Sequence, residues 1–185
     1  MLFLFILGII FSNVITEFII THRVESLNQF FINLGYLRAG FSMLFLAIVL
    51  LFMKKKRINW FFVLFLSFSM TFGIVYLLKN IFQISRPLFN ALIVETGYAF
   101  PSGHAAGSFS VIPVLFKVYN KSKYLWLTLA ILISFSRIYV GVHTLMQVLV
   151  GGLIGFLIGK LFVYLEEKHN LFKLVINFFK MNDNR

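Results

Sequence analysis

Lys79 with Arg86-Pro87, then Pro101-Ser102-Gly103-His104, then Ser136-Arg137 followed by His143 form three short polar clusters in a chain that is 60% hydrophobic. They bring three fixed positive charges and two imidazoles into surroundings where an ionisable group near lipid is expensive and ordinarily has a task. A long flexible cation and a planar fork, Lys79 and Arg86, suit two or three phosphate oxygens. Ser102-Gly103 precedes an apolar run, so the amides of a helix start can face an anion; Gly103 permits close approach, and the Ser102 hydroxyl can cap the helix or bind an oxygen. Arg137 adds a third cation. A neutral imidazole such as His143 is a competent nucleophile toward phosphorus, whereas a serine needs its own base. Taken singly, Lys79 and Arg86 also read as snorkelling anchors and His104 as an interfacial residue. That plainer reading has to hold three times on one membrane face, so the clusters together predict a phosphate site.

The elements that position these clusters are membrane spans. With 185 residues, 12% of them charged, and a mean hydropathy of +0.92, the chain lies outside the range of soluble domains. Apolar runs at about 2–21, 38–53, 58–78, 104–119, 124–141 and 144–165 mostly approach the roughly 20 residues that cross a bilayer. They predict an all-α polytopic bundle of six transmembrane helices, a single domain over 1–185 with a cytoplasmic tail at 166–185. The first run has no basic leader and no small-residue cleavage site, and reads as a retained helix rather than a signal peptide. The absence of cysteine excludes disulfides and thiolate metal sites.

Orientation follows from the 17 Lys and Arg residues. Lys54, Lys55, Lys56 and Arg57 follow the second span, Lys117, Lys121 and Lys123 the fourth, and Lys160, Lys168, Lys173, Lys180 and Arg185 close or follow the sixth. The positive-inside rule places that side, and both termini, in the cytoplasm. Arg23, Arg38, Lys79, Arg86 and Arg137 remain for the opposite side. By parity all three clusters emerge there, on the extracytoplasmic face. The net charge of +11 is mainly a topology signal and gives little reason to invoke nucleic acid.

Between the first two spans Val24, Leu27, Phe30, Phe31, Leu34 and Leu37 recur at helical spacing, as in an amphipathic helix at the outer interface or a helical connector. Leu171, Leu174, Val175, Phe178 and Phe179, with Lys173 and Lys180, suggest a short inner-surface helix. Gly151, Gly155 and Gly159 let a neighbouring helix approach the sixth span, and packing within the monomer is favoured over dimerisation.

The clusters resemble the signature of the type 2 phosphatidic acid phosphatases: Lys-x6-Arg-Pro, Pro-Ser-Gly-His, and Ser-Arg-x5-His-x3-Asp. The resemblance covers Lys79 to Gly151 in detail and the six-span layout in outline. It implies a lipid phosphatase that uses neither metal nor cofactor and works through a phosphohistidine. His143 would attack phosphorus, His104 would protonate the leaving oxygen and then activate water, and Lys79, Arg86, Ser102, Gly103 and Arg137 would bind the phosphate. The substrate would be a phospholipid or glycolipid phosphate. His143-Thr144, Val148-Leu149 and Gly151, with no Asp after the histidine, look most like the lipid A 1-phosphatase branch. Phosphatidylglycerophosphate and undecaprenyl pyrophosphate phosphatases are rivals, as are a lipid phosphotransferase and a non-catalytic binder of anionic lipid.

One signature position departs. Where the family places the Asp that holds the nucleophile's other ring nitrogen, this chain has Gln147. Its amide oxygen can accept the ring N–H, but as a neutral group it stabilises a cationic phosphohistidine less than a carboxylate would. Glu95 is an alternative acid, although a solvated loop charge is the favoured reading of it.

Overall fold

A computed structural model describes residues 2–36, 58–87 and 90–175, and every regular element among them is helical. Helix α1 (Leu2–Thr21) is followed by α2 (Glu25–Tyr36), α3 (Ile58–Phe82), α4 (Gly103–Val118), a short 3-10 turn (Asn120–Ser122), α5 (Lys123–Tyr139) and α6 (Leu145–His169). Five of the six expected spans thus correspond to helices, with ends within a few residues of those expected. The expected span at 38–53 lies outside the described residues, as do Leu37 and Phe178 to Arg185. Among the described residues, two helices, Asn59–Phe82 and Leu145–His169, are long and apolar enough to cross a membrane by length and composition.

The helix ends have local causes. Glu25 opens α2 and Lys79 lies in the last turn of α3, each with the sign that suits its end of the helix dipole. Helix α6 begins with a capping box, in which the Thr144 side chain accepts from Gln147 N–H and the Gln147 side chain accepts from Thr144 N–H. It ends at Asn170 in the left-handed conformation, with Lys168 and His169 in its last turn.

Helices α4 and α6 form the centre of the bundle, and glycines set their register. A Cβ on Gly151 would overlap the Ser102 carbonyl, one on Gly155 the Ala106 carbonyl, and one on Gly159 the Ser110 carbonyl and the Pro113 ring. Three glycines four apart therefore mesh with three residues four apart on α4, the monomer-internal packing expected from the sequence. Val63 and Leu64 of α3, Val111, Ile112, Val114 and Leu115 of α4, and Trp126 and Ile133 of α5 fill the core around this seam. Outward-facing Leu149, Leu153, Leu157 and Leu161 on α6, and Tyr76, Leu77 and Ile81 on α3, form an apolar exterior. A leucine stripe recurring every four residues fits a lipid-facing surface.

The amphipathic segment is helical as expected. Phe31 is buried against Phe135 and Tyr139, while Val24, Leu27 and Phe30 are exposed. The face of α2 that turns inward is the one anchored to Tyr139, whose hydroxyl donates to the Val24 carbonyl at 2.8 Å and bonds Asn28 Oδ1 at 3.0 Å. That anchoring lays α2 over the ends of α4 and α5.

Candidate functional site

The three polar clusters meet at one end of the bundle, above the Ser102–Gly151 contact. Arg137, in the last turn of α5, is 0% exposed, and His143, in the loop before α6, is 1% exposed. That loop folds back on its own helix: Val142 and His143 both donate backbone N–H to the Arg137 carbonyl at 3.2 Å. Gly141 turns the chain at φ +83°, a conformation that favours glycine. Arg23, from the α1–α2 turn, clamps the same corner, its Nε donating to the Tyr139 carbonyl and its Nη1 to the Asn90 carbonyl, each at 2.6 Å.

The protonation of His143 follows from its neighbours. Gln147 Oε1 lies 3.1 Å from His143 Nδ1 and 3.1 Å from Thr144 N. A backbone N–H only donates, so the amide atom facing it is the oxygen, and the Nδ1 that faces the same oxygen carries a proton. Nε2 is therefore unprotonated and accepts a hydrogen bond from Arg86 Nη1 at 3.2 Å. Burial foremost, then the charges of Arg86, Arg137 and Lys79, holds this imidazole well below its ordinary pKa of 6.5. Neutral, correctly tautomerised and aimed at the cations, His143 has the features of a nucleophile toward an electron-poor centre.

Glu95 is not the solvated loop charge expected from the sequence. Its Oε2 lies 2.9 Å from Arg86 Nη1 and its Oε1 pairs with Arg137 Nη2, with the side chain 24% exposed. The physical reason is that two buried guanidiniums facing one another need an anion between them, and the loop delivers one. Arg86 also donates to the carbonyls of Gly97 and Thr96 at 3.2 Å and of Val142 at 3.3 Å, and Lys79 donates to the Tyr98 carbonyl. The first-cluster cations are thus turned inward onto loop 95–98, away from the snorkelling alternative.

His104, in the first turn of α4, has Arg137, Glu95 and Arg86 as charged neighbours, and its Nε2–H donates to the Gly35 carbonyl of α2 at 3.3 Å. A Cβ on Gly35 would overlap Arg137 Nη1, so α2 rests directly on the guanidinium. Ser102 corrects a second expectation. Its hydroxyl makes no cap for α4. Its N–H is engaged by the Gln147 carbonyl at 3.0 Å, which ties the second cluster to the third. The helical ladder of α4 starts only with Ala106 N–H to Ser102 C=O, leaving the amides of Gly103, His104 and Ala105 without an intrahelical acceptor. Ser102 Oγ and two donors of Arg137, Nε and Nη1, are buried without a partner among the described residues. Unsatisfied buried donors beside a borrowed carboxylate mark a place for a tetrahedral anion.

Sequence reasoning missed Ser12 and Thr16 of α1. Ser12 Oγ accepts Met146 N–H at 2.8 Å and Thr16 Oγ1 accepts Leu145 N–H at 3.0 Å, so α1 caps the first turn of α6. The available signal was two small polar residues four apart in an apolar helix.

The sequence profile of the PAP2 superfamily matches residues 60–171. The fold is similar to the crystal structure of a transmembrane PAP2 type phosphatidylglycerolphosphate phosphatase from Bacillus subtilis, at 28% identity, a TM-score of 0.74 and 85% coverage of both chains. It is also similar to Aquifex aeolicus LpxE, at 31% identity and a TM-score of 0.72, covering 81% of this chain and 93% of that one. Phosphatidylglycerophosphatase B of Bacillus subtilis is 32% identical over 107 residues, 52% of this chain and 53% of that protein, so the chain spans about half the length of this curated relative. With the matched profile extending over most of the chain and all three clusters gathered at one end of its bundle, the chain belongs to the PAP2 superfamily.

Proposed function

We propose that this chain is a metal-independent phosphatase that removes a phosphate group from a membrane lipid through a phosphohistidine. The carrying observation is the Glu95 carboxylate held between Arg86 and Arg137 beside the unprotonated Nε2 of His143, which accepts from Arg86. A substrate phosphate takes the place of that carboxylate and recruits Lys79, the unpartnered donors of Arg137 and Ser102, and the open amide of Gly103. His143 Nε2 attacks phosphorus, forming an N–P bond as the P–O bond to the lipid breaks, and His104, carrying a second ring proton as the imidazolium beside the bound phosphate, passes one proton to the departing oxygen and becomes neutral. His104 then takes a proton from water, which attacks phosphorus and releases phosphate, returning both imidazoles to their starting state. Positioning and cationic stabilisation of spread negative charge supply the acceleration.

The working unit is a single domain of six spans over 1–185, with both termini cytoplasmic and the site at the periplasmic face of a bacterial inner membrane. The positive-inside distribution and the apolar exterior support this placement. For the headgroup, the His143 to Gly151 pattern favours lipid A 1-phosphate. The names of the two Bacillus subtilis relatives favour phosphatidylglycerophosphate as a second reading.

Phosphate release is measured on purified full chain in detergent with EDTA, across lipid A, phosphatidylglycerophosphate, phosphatidic acid and undecaprenyl pyrophosphate. The expected result is release that vanadate inhibits and His143→Ala abolishes, with acid-labile phosphate trapped on His143. Release that requires Mg²⁺, or that survives intact in His143→Ala, overturns the scheme. Binding with no release identifies a non-catalytic lipid binder, and labelled phosphate arriving on a second lipid identifies a phosphotransferase.

A further inference from the structure

Glu17 is the sole ionisable residue of α1, a carboxylate in a 20-residue helix that is otherwise apolar or small and polar. Such a group near lipid ordinarily has a task. Hydrogen bonds to α6 fix where it stands. Thr16 and Ser12 accept the Leu145 and Met146 amides, and Thr16 Oγ1 also donates to the Ser12 carbonyl at 2.7 Å, so this turn of α1 is locked against the first turn of α6. Glu17 follows Thr16 directly, and the two share a polar cavity of about 360 Å³ with Asn13, Ser85, Arg86, Thr144 and Gln147. The cavity that both residues line has room for water, at about 30 Å³ per molecule.

Gln147 stands on both sides of this arrangement. Its Oε1 serves two donors, His143 Nδ1–H and Thr144 N–H, which occupies both of its lone pairs. Its Nε2 has two N–H groups to place, and the cavity holding Glu17 is the polar space that Gln147 lines. We propose that Glu17 is a positioning residue for the nucleophile: across water in this cavity its carboxylate holds the Gln147 Nε2–H groups, fixing the amide so that Oε1 faces His143. An amide polarised at its N–H by an anion is a stronger acceptor at its oxygen, because hydrogen bonds in a chain reinforce one another. The pair Glu17–Gln147 thereby supplies in two steps the negative charge that a carboxylate directly on His143 would supply in one. A reversed amide would offer two N–H groups to His143 Nδ1 and Thr144 N–H, where an acceptor is needed. This inference rests on His143 being the nucleophile, as proposed above.

The test compares kcat and KM on dioleoyl phosphatidic acid in mixed micelles for the full chain and for Glu17→Gln, Glu17→Asp, Gln147→Asp and Glu17→Gln/Gln147→Asp. Glu17→Gln is expected to lower kcat about tenfold with KM changed less than about twofold, because orientation of the nucleophile acts on the chemical step. Glu17→Asp, which keeps the charge at shorter reach, recovers part of the loss. Gln147→Asp sets its own baseline of kcat and KM, and in that background Glu17→Gln has little effect, since the anion now sits on His143 itself. Wild-type kcat in Glu17→Gln, or an equal loss in both backgrounds, overturns the proposal; equal loss would mean that Glu17 serves Arg86 or the helix packing. Thermal unfolding of each variant in detergent separates misfolding from misorientation, and Glu17→Asp carries the test where Glu17→Gln does not fold. His143→Ala, run alongside, keeps the two claims apart. Full turnover there removes the nucleophile assignment, whereas an inactive His143→Ala beside an unaffected Glu17→Gln removes only the role of Glu17.

Discussion

The amide oxygen of Gln147 accepts the Nδ1 proton of His143 at 3.1 Å, one helical turn away across the start of α6. Removing that acceptor while keeping the bulk, as in Gln147→Leu, frees the ring to rotate and to change tautomer. Turnover should fall about tenfold to a hundredfold with a smaller change in KM, as for other residues that orient a histidine. Steady-state kinetics on purified protein check this, and an unchanged kcat would show that the imidazole is held by its burial alone.

Glu95 competes with any anion for Arg86 and Arg137. Glu95→Gln should therefore lower the inhibition constant of vanadate several-fold, since a neutral amide is displaced more easily than a carboxylate. The same change leaves two buried guanidiniums without their counter-charge, which costs about 3–5 kcal/mol in a fully buried pair and less here, where Glu95 is partly exposed. A lower melting temperature that vanadate largely restores is the expected pattern. An unaltered inhibition constant would mean that the anion binds elsewhere.

Burial keeps His143 neutral in the folded chain well below 6.5, whereas in the unfolded chain it takes up a proton near 6.5. Below that pH the unfolded state binds the extra proton, so stability falls as the pH drops through the interval from 6.5 to the depressed folded value. His143→Asn should flatten this acid-side loss in a series of melting curves. The corresponding kinetic expectation is that nucleophile protonation does not limit kcat/KM near pH 6.5. An acidic limb centred there and removed by no other substitution would contradict it.

Gly155 sits where a Cβ would overlap the Ala106 carbonyl, a backbone atom that cannot swing aside. Gly155→Val should destabilise the bundle by about 1–3 kcal/mol or more through overpacking. Because α4 and α6 carry His104 and Gln147, activity should fall further than folded fraction. Comparing turnover per folded molecule, with the fraction folded read by size exclusion, tests the coupling.

The cation and imidazole positions were legible in the sequence because each cluster is short and lies at or beside a helix end, and the parity of the expected spans put those ends on one side. The glycine ladder was legible for the same reason, being a period-four pattern on one helix. Glu95 was not, since its partners Arg86 and Arg137 lie nine and 42 positions away in opposite directions and loop residues carry no periodicity. Arg23 and the Ser12–Thr16 pair escaped likewise, because what they bind are backbone groups, which have no sequence signature.

The glycine mesh between α4 and α6 makes the floor of the site a ratchet with one tooth engaged: a slip of one residue would turn a side chain by about 100° and shift it by about 1.5 Å. The roof is held by polar contacts instead of a backbone mesh: loop 95–98 rests on Lys79, Arg86 and Arg137 through hydrogen bonds and the Glu95 ion pairs, and α2 meets His104 through the Gly35 carbonyl. Evolution toward a different headgroup therefore has a cheap route and a costly one, and divergence among proteins built this way should accumulate overhead while the machinery underneath stays still.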